Sequence, residues 1–242
     1  MEDVLQKKVP VKVKGKTLFT FQDFGLTSRD RASTIEYKEP ETLEWIDKID
    51  GEGTLFDIGA NIGIFSLYAA ATKNIRTIAF EPQFLNFALL TLNCIENNFN
   101  ELISCFPICL GDQLTISELN MFLGSGWGTA NSTFGRKIDS QGDLRNFEIS
   151  HGSIGLTLNY FVKEFKVNPS HIKIDVDGNE LLVLKGAHET LSNAHTESLL
   201  IELCTTHKEY NESIKLIESF GFNLAKKGVE KKNTLNHIYY KS

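Results

Sequence analysis

The stretch Thr54-Leu55-Phe56-Asp57-Ile58-Gly59-Ala60-Asn61-Ile62-Gly63-Ile64-Phe65-Ser66-Leu67-Tyr68-Ala69-Ala70-Ala71 decides the fold. An apolar strand pattern runs into a turn of small residues, and a helical pattern follows at once. In an α/β sheet that order brings backbone close to a nucleotide-like ligand at the strand's carboxyl end. Gly59 and Gly63 bound the turn. Between them stands Asn61, where many such loops carry a third glycine, and asparagine tolerates a left-handed backbone.

The side chains select the ligand's charge. Asp57 sits where the strand should end and would repel a pyrophosphate. A cationic ligand would be attracted instead, and S-adenosylmethionine carries both an ammonium and a sulfonium. The residues therefore point first to a methyltransferase.

Downstream, strand and helix patterns alternate, which implies a mostly parallel sheet covered on both faces. A second strand over residues 75–81 ends at Glu81, and Pro82 suits the first turn of the helix that follows. A third strand is predicted over 103–109, leading to Leu110-Gly111-Asp112. Residues 113–155, rich in glycine, serine and asparagine, read as an irregular insertion and a candidate acceptor lid, with Trp127 available to stack on a sugar. A helix over 158–166 precedes a strand over 171–176, and a helix starting at Asp177-Gly178-Asn179-Glu180 and carrying Leu181, Leu184 and Leu191 follows. A fifth strand over 198–203, a helix over 210–220 and two strands near 222–226 and 236–240 complete the pattern. The expected fold is Rossmann-like: a mostly parallel seven-stranded sheet with helices on both faces and an antiparallel hairpin at the C-terminal end. Residues 1–50 read as an N-terminal extension or cap, and 51–242 as the main domain.

Composition narrows the function. A net charge of −6 with no long basic stretch argues against nucleic acid as a partner. No apolar run reaches membrane-span length, and the first residues lack a signal-peptide core. Cys94, Cys105, Cys109 and Cys204 lack metal-ligand spacing and read as reduced core thiols, with Cys105 and Cys109 on one face of a strand. The expected location is the cytoplasm. Oligomeric state is not legible.

Acidic residues mark four strand ends: Asp57, Glu81, Asp175 with Asp177, and Glu202. In a parallel sheet these ends lie along one edge, and grouped carboxylates need a cation or hydroxyls to compensate them. Glu81 follows Asp57 by 24 residues, the separation at which an acid on the next strand reaches a ribose diol. Asp177 and Glu180 also suit a helix start, whereas Asp175 lies within an apolar strand and is expected to face the cleft. His151 and His171 read as structural rather than catalytic.

In these residues the chain resembles FkbM-type methyltransferases, a branch of the class I, Rossmann-like S-adenosylmethionine enzymes. The resemblance rests on Glu39-Pro40-Glu41-Thr42, the Asp57 to Gly63 turn, Phe80-Glu81-Pro82, Asn93 and Asn98, and Leu110-Gly111-Asp112. Its most specific part is Ile172-Lys173-Ile174-Asp175-Val176-Asp177-Gly178-Asn179-Glu180-Leu181, followed by Leu184-Lys185-Gly186-Ala187. Two positions depart from the family pattern: Asp177 replaces a glutamate, and Asn159 replaces an acid. The resemblance implies O-methylation of a hydroxyl on a saccharide or natural-product acceptor. It implies that Gly59, Asn61 and Gly63 line the methionine moiety, Glu81 the ribose and Asp112 the adenine region, with Asp57, Ala60, Pro82 and Gly111 completing the cofactor site. Asp175 or Glu202 would act as base, or would join Asp177 in holding a divalent cation. Two alternatives stay open: an oxidoreductase on the same sheet, and a module that binds the methyl donor without catalysis.

Overall fold

The structure, a computed structural model, describes residues 7–122 and 126–241. The hairpin Lys8–Val13 (β1) and Lys16–Gln22 (β2) and the helices Leu26–Lys38 (α1) and Pro40–Asp47 (α2) come first. Thr54–Ile58 (β3), Ile64–Lys73 (α3), Arg76–Phe80 (β4), Phe84–Glu96 (α4) and Ile103–Phe106 (β5) form the first alternating half. Cys109–Leu110 (β6), Thr115–Met121 (β7), Thr133–Phe134 (β8) and Ile149–Leu156 (β9) follow. The second half is Leu158–Phe165 (α5), His171–Ile174 (β10), Glu180–Gly186 (α6), His188–Ser192 (α7), Ser198–Cys204 (β11), Tyr210–Ser219 (α8), Phe222–Lys227 (β12) and Thr234–Lys241 (β13).

The seven-stranded main sheet has the order β12-β13-β11-β10-β3-β4-β5. Its strands β5, β4, β3, β10 and β11 run parallel, and β13 is antiparallel to both neighbours, so the expected sheet and terminal hairpin are present. Side chains alternate between two cores, as strand geometry requires. Leu55, Ala79, Leu200 and Ile238 join residues of α1 to α4 on one face. Phe56, Ile58, Ile78, Phe80, Ile172, Ile174 and Leu199 join residues of α5 to α8 on the other.

The N-terminal residues belong to the first of these cores. Val11, Phe21, Ile35, Trp45 and Ile46 are buried in it, and the Trp45 indole N–H donates to Ser198 Oγ at 3.1 Å. The free edge of β2 is paired by asparagines one helical turn apart. Asn93 Oδ1 accepts from Gln22 N at 2.9 Å, and Asn97 both accepts from Thr20 N and donates to Thr20 O at 2.8 Å.

Three expectations need correction. The third strand stops at Phe106, since Pro107 has no N–H for a ladder, and β6 joins a different sheet. Cys105 and Cys109 therefore do not share a strand face; Cys105 Sγ instead lies 3.9 Å from Cys94 Sγ. Residues 113–155 are not irregular throughout, because β7, β8 and β9 form a four-stranded sheet with β6 in the order β6-β9-β7-β8. Its outward positions carry apolar residues, such as the paired Ile116 and Ile154, which erases the alternation that marks a strand. The helix after β10 breaks at Ala187 into α6 and α7. Gly186 packs so closely there that a Cβ would lie 1.9 Å from the Gly111 carbonyl oxygen.

Candidate active site

The turn after β3 is held by its own surroundings. Gly59 N and Ala60 N both donate to Phe80 O at 2.9 Å, and Gly63 N donates to Ala60 O at 2.8 Å. Asn61 N donates to Glu81 Oε2 at 2.8 Å, and Ile62 N donates to Asn61 Oδ1 at 2.9 Å. Every backbone N–H from residue 59 to 63 is thus engaged, and none is left to cradle a pyrophosphate. Asn61 takes the left-handed conformation, with φ of 52°. Gly59, with φ of 85°, has no room for a Cβ, which would meet Asp175 O at 1.8 Å. Asn93 Nδ2 braces the turn from α4 by donating to Ile62 O at 2.9 Å.

Register decides what Asp57 does. Lys173 of β10 is its partner across the parallel ladder, so the two side chains stand side by side on one face. Asp57 is only 1% exposed; its Oδ2 accepts from Ser66 Oγ at 2.6 Å and its Oδ1 lies 3.9 Å from Lys173 Nζ. Lys173 Nζ donates to Asp175 Oδ2 at 3.1 Å and sits 5.2 Å from the centre of the Phe65 ring. Burial works against the Lys173 ammonium, but Asp175, Asp57 and Glu39 outweigh it and hold its pKa above the ordinary lysine value. Burial raises the Asp57 carboxyl against the pull of Lys173 and Ser66. Glu39 and Glu202 are likewise raised, first by burial and partly by the other acids. One buried cation thus faces several carboxylates.

A cavity opens across the carboxyl ends of β10, β3, β4 and the segment after β5. At the β10 side its wall is polar, with Lys173, Asp175, Asp177, Asn61, Arg31 and Glu39. On the β5 side it is largely apolar, with Phe80, Ile108, Cys109, Leu110, Leu119 and Phe134. Glu81 lies between them. Its Oε1 accepts from Gln83 N and its Oε2 from Asn61 N, both at 2.8 Å, which leaves a lone pair free on each oxygen. Burial pushes the Glu81 carboxyl up to about 7.

Residues 126–132 close one side of this cavity. Thr129 O accepts from Asn61 Nδ2 and Asn86 Nδ2 at 2.9 Å, and Gly128 N donates to Asn86 Oδ1 at 2.8 Å. Asp177 Oδ2 accepts from Asn131 N at 2.6 Å, and Arg31 Nε donates to Gly128 O at 2.8 Å. Burial pushes Asp177 up to about 6 and Glu180 up to about 7. Trp127 is turned away from the cavity and packs on Phe24, with ring centres 4.4 Å apart, because the cap offers it an apolar partner.

Gly59, Ala60, Asn61, Glu81, Pro82, Asp175 and Asp177 are thus brought to one cavity. Asp57 lies beneath it, Gly63 packs against Leu90 and Leu67, and Gly111 and the exposed Asp112 lie outside. Glu202 stands in β11 opposite Asn236 and acts on Asp175 only through its field. Asp175, Asp177 and Glu202 do not converge on an ion site, and among the described residues no group of three His, Cys, Asp or Glu side chains could hold one. Asn159 accepts from Thr190 N and Oγ1 at 3.0 Å, away from the cavity. His171 packs edge-on to Trp45 and bonds Ser198 Oγ at 2.8 Å, a structural role.

Sequence reasoning assigned no role to Lys173, Glu39, Arg31, Asn86 or Asn179, all of which line the cavity. A lysine within an apolar strand was a usable signal for the first. Glu39 and Asn179 stand within the motifs that carry the resemblance, whereas Arg31 and Asn86 come from segments that carried no signal.

Residues 57–224 match the methyltransferase FkbM domain. No curated protein matches the chain. Among solved structures, the METTL16 MTase domain is similar over 96% of this chain and 85% of its own, with a TM-score of 0.51 and 10% identity. A precorrin-6y C5,15-methyltransferase from Geobacter metallireducens GS-15 covers 84% of this chain and 87% of its own, with a TM-score of 0.47 and 13% identity. M. capricolum TrmK, solved with S-adenosyl-homocysteine, covers 83% and 67%, with a TM-score of 0.47 and 13% identity. At such identities the likeness shows the fold alone. With the domain match spanning most of the sequence, the chain belongs to the FkbM family of S-adenosylmethionine-dependent methyltransferases.

Proposed function

We propose that this protein transfers a methyl group to a hydroxyl of a saccharide or similarly hydroxylated small molecule. The observation that carries the donor site is the polarity of the cavity along the strand order. It is apolar beside β5, presents a two-oxygen acceptor at Glu81, and is anionic beside β3 and β10. That sequence of surfaces suits adenine, ribose and a cationic methionine tail in turn. S-adenosylmethionine, when bound, supplies a methyl group on a positively charged sulfur that leaves as a neutral thioether. Glu39 and Asp175 favour the tail's positive charge, and Asn61 sets the turn against it.

Asp175 suits the role of base. Its side chain is 28% exposed, Lys173 holds its Oδ2, and its Oδ1 is free to take the acceptor's proton as the new oxygen–carbon bond forms. Glu202, set back from the cavity, supports Asp175 electrostatically. The net charge of −6 favours a saccharide over nucleic acid as acceptor. A cytoplasmic setting suits its four free thiols.

The test combines calorimetry with S-adenosylmethionine and S-adenosylhomocysteine and a labelled-methyl screen over saccharides, lipid-linked sugars and amine acceptors, with and without chelator. The expected outcome is donor binding and label on oxygen, with the label lost in Asp175→Asn even at donor concentrations that saturate the site. Label on nitrogen or carbon would overturn the oxygen assignment. Donor binding without turnover on any acceptor would favour the binding module.

A further inference from the structure

A second hollow lies on the far side of residues 128–131 from the donor cavity, lined by Thr27, Arg31, Lys38, Phe122 and Asn131, with Asp30 as its acid. Helix geometry explains the lining. Ser28, Ala32 and Ile35 form the buried stripe of α1, so Thr27, Arg31 and Lys38, spaced at four and seven residues, form the adjoining stripe. Arg31 also lines the donor cavity and a third, smaller hollow bounded by Lys38, Glu39, Ile64 and Phe65. The three spaces therefore share one residue, Arg31, in their walls.

The charge here runs against that of the molecule. Arg29, Arg136 and Arg145 are paired with Asp23, Glu209 and Asp139. Among the described residues neither Arg31 nor Lys38 forms a close ion pair; Arg31 acts on Glu81 and Asp177 only through its field, and the chain carries a net charge of −6. The Arg31 Nε donates to Gly128 O, which leaves its remaining N–H groups for another acceptor. Lys231, outside the lining, donates its Nζ to the carbonyls of Tyr37 and Lys38 at the end of α1. Phe122, paired with Phe147 at 4.7 Å, gives the hollow an aromatic wall.

We infer that this hollow is the acceptor's anchoring site and that the acceptor is an anionic saccharide, bearing a phosphate or carboxylate bound by Arg31 and Lys38. The inference rests on the methyltransferase reading above and names the substrate class of the same site. An anion held there leaves the rest of the sugar to run past Glu39 toward Asp175, along the hollows that share Arg31. Phe122 supplies an apolar face for the ring, and Asn131 an amide for its hydroxyls.

The experiment titrates glucose-6-phosphate, glucuronate, glucose and inorganic phosphate into the full chain saturated with S-adenosylhomocysteine, at low ionic strength so that exposed charges are not screened. A short oligoribonucleotide forms a further arm. At least one anionic sugar is expected to bind about tenfold more tightly than glucose, and Lys38→Glu to remove that advantage while S-adenosylhomocysteine affinity is unchanged. Preference for the phosphate or for the carboxylate then separates the two sources of charge. Equal affinity for charged and neutral sugars, no detectable binding of any anion, or an intact preference in Lys38→Glu overturns the site. Tighter binding of the oligoribonucleotide than of any sugar overturns it too and reassigns the cations to a nucleic-acid backbone. Failure of the parent chain to bind S-adenosylhomocysteine would instead count against the donor cavity.

Discussion

Glu81 and Lys173 are buried charges with opposite consequences. Each Glu81 oxygen accepts one backbone N–H and keeps a lone pair for a diol, so Glu81→Ala is expected to weaken donor binding by about tenfold or more in calorimetry. The same carboxyl titrates about 7 in the fold against 4.5 as its ordinary value. A carboxyl raised in this way stabilises the protein below its unfolded pKa and loses that contribution as pH climbs through the folded one. Without donor, the melting temperature of Glu81→Gln should therefore gain on that of the parent as pH rises from about 5 to about 8. A constant difference would show that burial does not perturb the group. Lys173 is the reverse case, already paired. Lys173→Met leaves Asp57 and Asp175 without their cation and is expected to cost about 3–5 kcal/mol in urea unfolding. Adding Asp57→Asn should restore part of that loss, because the two residues are coupled across the ladder.

At the scale of elements, the informative piece is residues 126–132. The segment belongs to no strand, yet its backbone is fastened by Asn61 after β3, Asn86 in α4, Asp177 after β10 and Arg31 in α1. Trp127 anchors one end on Phe24, and the residues beside the cavity are held mainly by these hydrogen bonds, which suits a cover that must open. Asn86→Ala removes both the acceptor for Gly128 N and one donor to Thr129 O. Hydrogen exchange at residues 126–132 should then rise by about tenfold, with exchange in α4 unchanged. Protection that survives the substitution would mean that the segment is held by something other than these bonds.

At the scale of the molecule, the N-terminal cap and the main sheet share one core. Trp45 is fully buried among residues of both, and the β1–β2 hairpin depends on α4 to pair its edge. A single cooperative transition is expected, with tryptophan fluorescence and circular dichroism coincident in denaturant. Trp45→Ala should cost about 3–5 kcal/mol. Separate transitions for the two probes would make the cap an independent unit.

The turn from Asp57 to Gly63, the acids at the strand ends and the alternation of apolar runs were legible because they are local. A strand's period, a turn's backbone demand and a helix start are each written within a few residues. That much settled the parallel sheet, the carboxyl edge and Glu81 as its central acid. What Asp57 does was decided elsewhere, since only the register of β10 against β3 sets Lys173 beside it. Likewise, no local pattern announces that Arg31 and Glu39 from the cap, and Thr129 from a stretch without periodicity, complete the cavity. Residues of the cavity wall stand more than a hundred positions apart in the chain in some cases, as do Arg31 and Lys173. Sequence by itself determined the kind of sheet and the sign of charge at its edge. Tertiary packing alone chose which of the acids face the ligand, because each one's surroundings come from strands and loops it does not neighbour in sequence.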